Sequence, residues 1–311
     1  MSAAVKHAPA PASQIRRTSI DQDSLPPDYT VSEGYELGNL RASSSADSLP
    51  QYNAVYEDAA AASSSSSSAA SPDAGFHATK LLQIQAKGQP MMRLPLPPRP
   101  DPIYVFGVTP TGELDEAEYV SVRPTRGSGS CFLARAGDPA QTPICTTTYR
   151  FGPNRPPKIQ FLEDSGSEEI VFECKGNFTR ATAMRTPLGT FEWRYSTRAE
   201  RRAAGPDVDS LLILDRTTTV SLAGGGSEVR RRKVGQLVRS GGLRTEGTRR
   251  STAGNGGRLM LDLRDWADRK AEAGQMELLA VASCVSMLKK EVDRRRLHQT
   301  MIMMGAASGG P

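Results

Sequence analysis

Histidine, cysteine and tryptophan are scarce in this chain, and their scarcity limits the chemistry that it could support. Among 311 residues there are three histidines, four cysteines and two tryptophans. The histidines stand far apart in the sequence, at positions 7, 77 and 298. The chain therefore has few of the residues that a histidine-dependent triad or a three-ligand zinc site requires. No C-x-x-C pair is present. We therefore expect no enzyme, no cofactor and no metal site.

Long apolar runs are also missing. No stretch reaches the roughly 18 apolar residues that would span a membrane, and the N-terminus lacks the apolar segment of a secretory signal. The sequence therefore predicts a cytoplasmic protein, with a peripheral-membrane or a nuclear location left open. In that compartment the cysteines are expected to be reduced, and three of the four lie in apolar patterns typical of a core. They are Cys131, Cys145, Cys174 and Cys284.

Residues 1–77 contain much serine, proline and alanine and show no periodic apolar pattern. Such a segment cannot bury enough surface to offset the entropy of ordering, so we predict a disordered arm over residues 1–77. Residues 1–75 carry four basic and nine acidic residues, which leaves a net charge of +10 on residues 76–311. A basic body fits an anionic partner, although it also fits an arm that folds back electrostatically or a charge that only favours solubility.

From about residue 78 the chain consists of short runs typical of strands, separated by Gly, Pro and Asp. In one run Phe191, Trp193 and Tyr195 alternate with Glu192 and Arg194, which indicates a sheet with one apolar and one wet face. About a dozen runs at this spacing predict an antiparallel sandwich or barrel. We assign the chain to the mostly-β class, with a closed antiparallel barrel of about twelve strands over residues 78–298.

One convincing helix comes last, over about residues 274–296. Its segment 276–288, MELLAVASCVSML, is apolar almost all round, so it must be buried on every side. Thirteen helical residues rise only about 20 Å, too little to cross a hydrocarbon core of about 30 Å, which disfavours a tail anchor. We therefore predict a central helix threaded through the barrel, with its charged C-terminal turns emerging at one end. Residues 299–311 are predicted to be a disordered tail.

A many-stranded antiparallel barrel around a C-terminal hydrophobic helix resembles the tubby C-terminal-like superfamily, which includes the LURP-one-related proteins and the phospholipid scramblases. Three stretches also resemble fungal proteins that pair a Ser/Pro-rich arm with such a domain. They are Phe191-Glu-Trp-Arg-Tyr195, Gly254-Asn-Gly-Gly257 and Met287-Leu-Lys-Lys-Glu-Val-Asp-Arg-Arg-Arg296. The resemblance covers about residues 78–298 and brings no catalytic motif. It implies phosphoinositide binding through a basic surface, with no individual headgroup residue carried over.

The arm contains two short motifs that favour a peptide ligand. Pro26, Pro27 and Tyr29 form P-P-x-Y, and Pro50 and Tyr52 belong to the looser form L-P-x-Y. Adjacent prolines favour polyproline II, and the tyrosine supplies a second anchor for an aromatic groove. This is the ligand pattern of WW domains, including those of HECT ubiquitin ligases. The alternative is an ordinary turn-rich tail.

Upstream of these motifs, residues 16–20 read R-R-T-S-I, which makes Ser19 a candidate phosphorylation site for a basic-directed kinase. A phosphate there would add about −1.5 to −2 charge to the arm.

A basic stretch follows the predicted strands, in connections rich in Gly and Ser. The alternatives are an anionic-lipid surface, a nuclear-import or nucleic-acid patch, or arginines that are merely solvated. The stretch lacks the interleaved aromatic residues of single-strand binders, which disfavours nucleic acid. The candidate residues are Arg230, Arg231, Arg232, Lys233, Arg249 and Arg250.

Together these patterns predict a non-enzymatic adaptor whose arm binds a WW-domain protein. The alternative is a peripheral protein whose Arg-rich loops bind anionic lipid such as a phosphoinositide. The third hypothesis is an enzyme of unknown type. We expect a monomer.

Overall fold

The computed structural model describes residues 75–94, 101–124, 129–149, 156–162, 169–174, 180–221 and 225–308. Twelve strands, two α-helices and one 3-10 helix make up this part of the chain. The strands are β1 Lys80–Gln85, β2 Ile103–Val108, β3 Leu114–Val122, β4 Cys131–Arg135, β5 Pro143–Thr148, β6 Lys158–Phe161, β7 Glu169–Cys174, β8 Thr182–Thr186, β9 Gly189–Tyr195, β10 Val208–Ser221, β11 Ser227–Ser240 and β12 Gly257–Leu261. The helices are α1 Arg198–Ala204, the 3-10 helix Arg264–Trp266 and α2 Lys270–Ser308.

The strands form one closed antiparallel barrel, as the sequence predicted. Each strand pairs with its neighbours in sequence, and β12 closes the sheet by pairing with β1. In that closing pair Lys80 lies opposite Leu261, and Ile84 lies opposite Gly257. Closure gives each of the described strands a partner on both sides.

Helix α2 threads the barrel and supplies the middle of its core. Met276, Leu278, Leu279, Val281 and Cys284 are almost fully buried, although at 100° steps they are spread around all sides of the helix. The polar atoms inside are paired: the indole N–H of Trp193 donates to Ser283 Oγ at 2.9 Å, and that hydroxyl donates to the Ala280 carbonyl. Cys131, Cys145 and Cys284 are buried and free, and burial raises the pKa of the Cys284 thiol to about 12.

Two predicted boundaries are corrected by the structure. Helix α2 runs from Lys270 to Ser308, not over 274–296, so most of the predicted tail 299–311 is helical. The reason is that residues 297–304 are mostly good helix formers without proline, and extending an existing helix costs little. The barrel unit also begins before residue 78, because Arg264 donates to the Gly75 carbonyl at 2.9 Å. Residues 1–74 lie outside the described part of the chain.

Candidate functional site

The predicted basic stretch does not form one surface. Arg230, Arg231, Arg232 and Lys233 lie on β11 itself rather than in a connection, and they pair with β10. Arg249 and Arg250 lie beyond the other end of the same strand. Ten residues of extended chain separate Arg230 from Ser240, which is roughly 30 Å. The two groups of predicted basic residues therefore lie toward opposite ends of β11, and lipid binding by either group stays a prediction.

Each of the three arginines at the start of β11 contacts a carboxylate. Arg232 donates to Asp265 at 2.5 Å, Arg231 donates to Glu192 at 3.4 Å, and Arg230 donates to Glu228 at 3.4 Å. Lys233 lies over the ring of Phe76, 5.4 Å from its centroid. These acids cancel most of the local positive charge, so this end of the hairpin is a poor attractor for an anion.

A different group of arginines is brought together at the opposite end of β11, where α1 connects β9 to β10. Helix α1 begins with a capping box: Thr197 Oγ1 accepts from the N–H of Glu200, and the Glu200 carboxylate accepts from the N–H of Thr197. The helix ends at Gly205, whose φ of 146° favours glycine. Both ends of α1 are therefore specified by local sequence.

Glu200 also anchors α1 to the barrel wall. Arg194 on β9 donates to both carboxylate oxygens of Glu200, at 2.7 and 2.9 Å, and to Asp215 on β10 at 2.6 Å. The bidentate contact with Arg194 is the main reason that the pKa of Glu200 falls to about 2. Because Glu200 is held by Arg194, it is not available to neutralise the other arginines of α1.

Three arginines of α1 share one face of the helix. Arg198, Arg201 and Arg202 stand at positions i, i+3 and i+4, which places their side chains side by side. Within the described part of the chain, none of the three makes a side-chain hydrogen bond or an ion pair. Like charges at this spacing destabilise a helix, so their arrangement has a cost that an anionic ligand would relieve.

These side chains form one wall of an open pocket of about 710 Å³, which we call the arginine pocket. The facing wall comes from the start of β10, the end of β11 and the turn that follows. It holds Asp207, Asp209, Arg244 and Arg250. With five arginines and two aspartates the lining has a net charge of +3. The residues are Arg198, Arg201, Arg202, Gly205, Pro206, Asp207, Val208, Asp209, Ser240, Gly241, Gly242, Arg244 and Arg250.

The facing wall is organised around Asp209. Its carboxylate pairs with Arg244 and, at 3.5 Å, with Arg250. Asp209 therefore orients two guanidinium groups toward the same space as the arginines of α1. The Nε atom of Arg244 is buried and has no hydrogen-bond partner among the described residues. The planar guanidinium group suits bidentate contact with phosphate or carboxylate, and Arg244 and Arg250 both line the pocket.

Next to the pocket, the carboxylate of Glu291 on α2 connects several segments of the barrel wall. It accepts from Arg239 at 3.0 and 3.2 Å, from the Tyr195 hydroxyl at 2.5 Å and from the N–H of Gly254 at 2.9 Å. Burial, followed by the charge of Glu291, raises the pKa of Tyr195 above its ordinary value, so this hydroxyl keeps its proton. Arg239 directly precedes Ser240 of the pocket, so the same contacts fix the backbone of the pocket wall.

The segment Gly254–Gly257 is a packing element rather than a flexible loop. A Cβ at Gly256 would lie 1.9 Å from the Ile84 carbonyl oxygen, and one at Gly254 would lie 2.5 Å from the Leu288 carbonyl oxygen. Only glycine permits this approach of the turn to β1 and to α2. The turn that supplies Arg250 is therefore fixed against the barrel.

The remaining predicted sites fall outside the described residues or outside the pocket. Ser19, Pro26, Pro27, Tyr29, Pro50 and Tyr52 all lie in residues 1–74, outside the described residues. Of the predicted basic residues, Arg250 lines the pocket and Arg249 is its exposed neighbour. The sequence analysis missed Arg198, Arg201 and Arg202. The segment RAERRAA after a Thr-x-x-Glu capping signal could have revealed them as one face of a short helix.

Comparisons with known proteins give no match for this chain, whether to a protein-family model, to a curated protein or to a solved structure. The resemblance to the tubby C-terminal-like superfamily therefore stays a prediction. Among the described helices, none is long and apolar enough to cross a membrane.

Proposed function

We propose that this protein is a non-enzymatic binding module whose barrel recognises a phosphate-bearing anionic ligand, the headgroup of a phosphoinositide, in the arginine pocket. The observation that carries the proposal is the pocket itself: five arginines from two segments line about 710 Å³, and the three on α1 have no acidic partner among the described residues. The volume lies in the range of small-molecule sites, which is about 300–1,000 Å³. Its polar, cationic lining suits a multiply phosphorylated ring rather than an apolar ligand.

This proposal retains the lipid-binding alternative from the sequence but moves it to other residues. The pocket arginines lie at the end of the barrel where α2 emerges. The turn that carries Arg250 contacts α2 at this end, since the Gly254 N–H donates to the Glu291 carboxylate. A flat membrane could meet this end, while the neutralised hairpin at Arg230 would remain away from it. The guanidinium forks would hold phosphate oxygens by charge-assisted hydrogen bonds.

The test is calorimetric titration of the full chain with inositol trisphosphate, the free headgroup. The variant Arg198→Ala/Arg202→Ala should weaken binding at least about tenfold, because each cation near a phosphate contributes about 1 kcal/mol. The matched control is Arg230→Ala/Arg231→Ala, which removes the same charge where acids already neutralise it, and it should bind like the wild type. Equal weakening by both variants would show that only net charge matters and would contradict the proposal.

A second candidate function belongs to the arm. We propose that Pro26, Pro27 and Tyr29 recruit a WW-domain protein, with Pro50 and Tyr52 as a weaker second site. The supporting observation is the repetition of D-S-L-P followed by tyrosine within one arm. In a peptide-binding assay Tyr29→Ala should lower affinity for a WW domain at least about tenfold, and Tyr52→Ala should lower it less. No binding of the 25–31 peptide to a panel of WW domains would refute this candidate.

A further inference from the structure

Helix α2 continues far beyond the barrel, and four consecutive exposed residues near its end are apolar. Leu288 is buried, whereas Met301, Ile302, Met303 and Met304 are 51–68% exposed. Four consecutive residues at 100° steps surround a helix, so no single face of this end is left polar. An exposed apolar end of this kind indicates an interaction surface.

A second exposed apolar segment lies beside this helix end. Met91, Met92 and Leu94 follow β1, and Met92 is 92% exposed. The side-chain amide of Gln299 donates to the Met91 carbonyl at 2.6 Å, which holds the segment against α2. We call the combined surface the methionine tip, formed by Met91, Met92, Leu94, Leu297, Met301, Ile302, Met303 and Met304.

Four arginines adjoin the methionine tip in the sequence, and we call them the arginine ring; Arg93 and Arg294 are exposed, whereas Arg295 and Arg296 are half-buried. Arg294, Arg295 and Arg296 stand on α2 just before Leu297, and Arg93 lies between Met92 and Leu94. Arg296 contacts Asp293 at 3.4 Å, but residues 294–304 contain no acidic residue. The helix rises about 10 Å from Arg294 to Met301, so the apolar end of the helix projects beyond the arginine ring.

Apolar side chains below a belt of arginines fit the boundary between the acyl chains and the anionic headgroups of a membrane. A second copy of this chain fits poorly, because a symmetric contact between two tips would bring the two arginine rings together. We propose that the methionine tip inserts into the interfacial layer of an anionic membrane. Residues 301–304 span about 6 Å of helix, within the depth of about 5–10 Å that interfacial helices reach.

This inference rests on the proposed function, because the tip and the arginine pocket lie at the same end of the barrel. Glu291 lies on α2 six residues before Leu297 of the tip, and it bonds to Arg239 beside the pocket and to Gly254 of the adjoining turn. Headgroup capture in the pocket would bring the tip to the bilayer, and insertion would slow its departure. The two contributions differ in chemistry, because headgroup capture is screened by salt and apolar insertion is not.

A tryptophan reporter tests insertion directly. The native Trp193 and Trp266 are buried, at 0% and 1% exposure, so they give a constant background. Met303→Trp places an indole in the tip, and Val229→Trp places one at an exposed apolar position on the opposite hairpin. With phosphatidylserine–phosphatidylcholine vesicles we expect a blue shift and quenching by brominated lipid for Met303→Trp only. Unshifted Met303→Trp emission on vesicle-bound protein would overturn the inference.

A loss-of-function variant separates this inference from the proposed function. Ile302→Ser/Met303→Ser/Met304→Ser should weaken vesicle binding about tenfold, and Val229→Ser should not change it. The same triple variant should bind inositol trisphosphate like the wild type, because the pocket is intact. Unchanged vesicle binding of the triple variant would refute insertion while leaving pocket binding valid. A wild-type dimer that the triple variant dissociates, without any tryptophan shift on vesicles, would instead identify the tip as a self-association surface.

Discussion

Glu291 is the residue on which the helix-exit end of the barrel depends. It is one of the few ions inside the fold, with its side chain only 9% exposed and that of its partner Arg239 only 6% exposed. It joins β9 through Tyr195, β11 through Arg239 and the turn before β12 through Gly254. One carboxylate on the central helix thereby connects three segments of the barrel wall.

We predict that Glu291→Gln destabilises the protein by about 3–5 kcal/mol, because it leaves the Arg239 charge buried without compensation. Urea unfolding measures this free energy. The control Glu246→Gln changes an exposed acid in the neighbouring turn and should stay within about 0.5 kcal/mol of the wild type. A loss below about 1 kcal/mol for Glu291→Gln would show that the Arg239 charge is solvated and that the contact is not structural.

The arginines at the start of β11 and those of α1 differ in whether they pair with carboxylates, not in how many there are. Arg231 and Arg232 contact Glu192 and Asp265, residues that lie about 30–40 positions away in the sequence. Arg198 and Arg202 have no such partner among the described residues. Because Glu192 and Asp265 come from distant segments of the chain, no local sequence pattern could reveal that Arg231 and Arg232 are neutralised.

At the scale of elements, the strands and the central helix could be predicted because their signals are local. The alternation of Phe191, Trp193 and Tyr195 predicts a strand with one buried face, and the three are buried or half-buried on β9. The run 276–288 is apolar all round, which predicts burial on all sides, and the barrel provides it. The sheet closure itself followed from the number of strands and from the need to surround that helix.

The end of α2 could not be predicted by the same reasoning. Residues 299–304 mix apolar and polar side chains without a period, so the sequence predicts a disordered tail there. Their helical state comes from propagation of an already folded helix and from the contact between Gln299 and Met91. Similarly, β10 and β11 extend well past the buried core, because their pairing with each other continues where apolar alternation has stopped.

At the scale of the whole molecule, the barrel has two chemically different ends. One end carries the paired arginines of β11 and the start of α2, where Lys80 contacts Glu118 and Glu277. The other end carries the arginine pocket, the arginine ring and the methionine tip. The arginines of α1, which have no acidic partner among the described residues, and the exposed side chains of the methionine tip thus lie where α2 leaves the barrel, the end that we propose meets an anionic membrane.

The most direct test of this account is vesicle flotation of the full chain against ionic strength, with phosphatidylinositol bisphosphate in phosphatidylcholine vesicles. The account predicts binding to these vesicles and little to pure phosphatidylcholine, with a steep fall as salt shortens the screening length from about 8 Å to about 3 Å. Arg198→Ala/Arg202→Ala should reduce binding about tenfold or more at about 0.15 M salt, and Arg230→Ala/Arg231→Ala should not. Equal flotation with neutral vesicles, or an equal loss in the two variants, would contradict it.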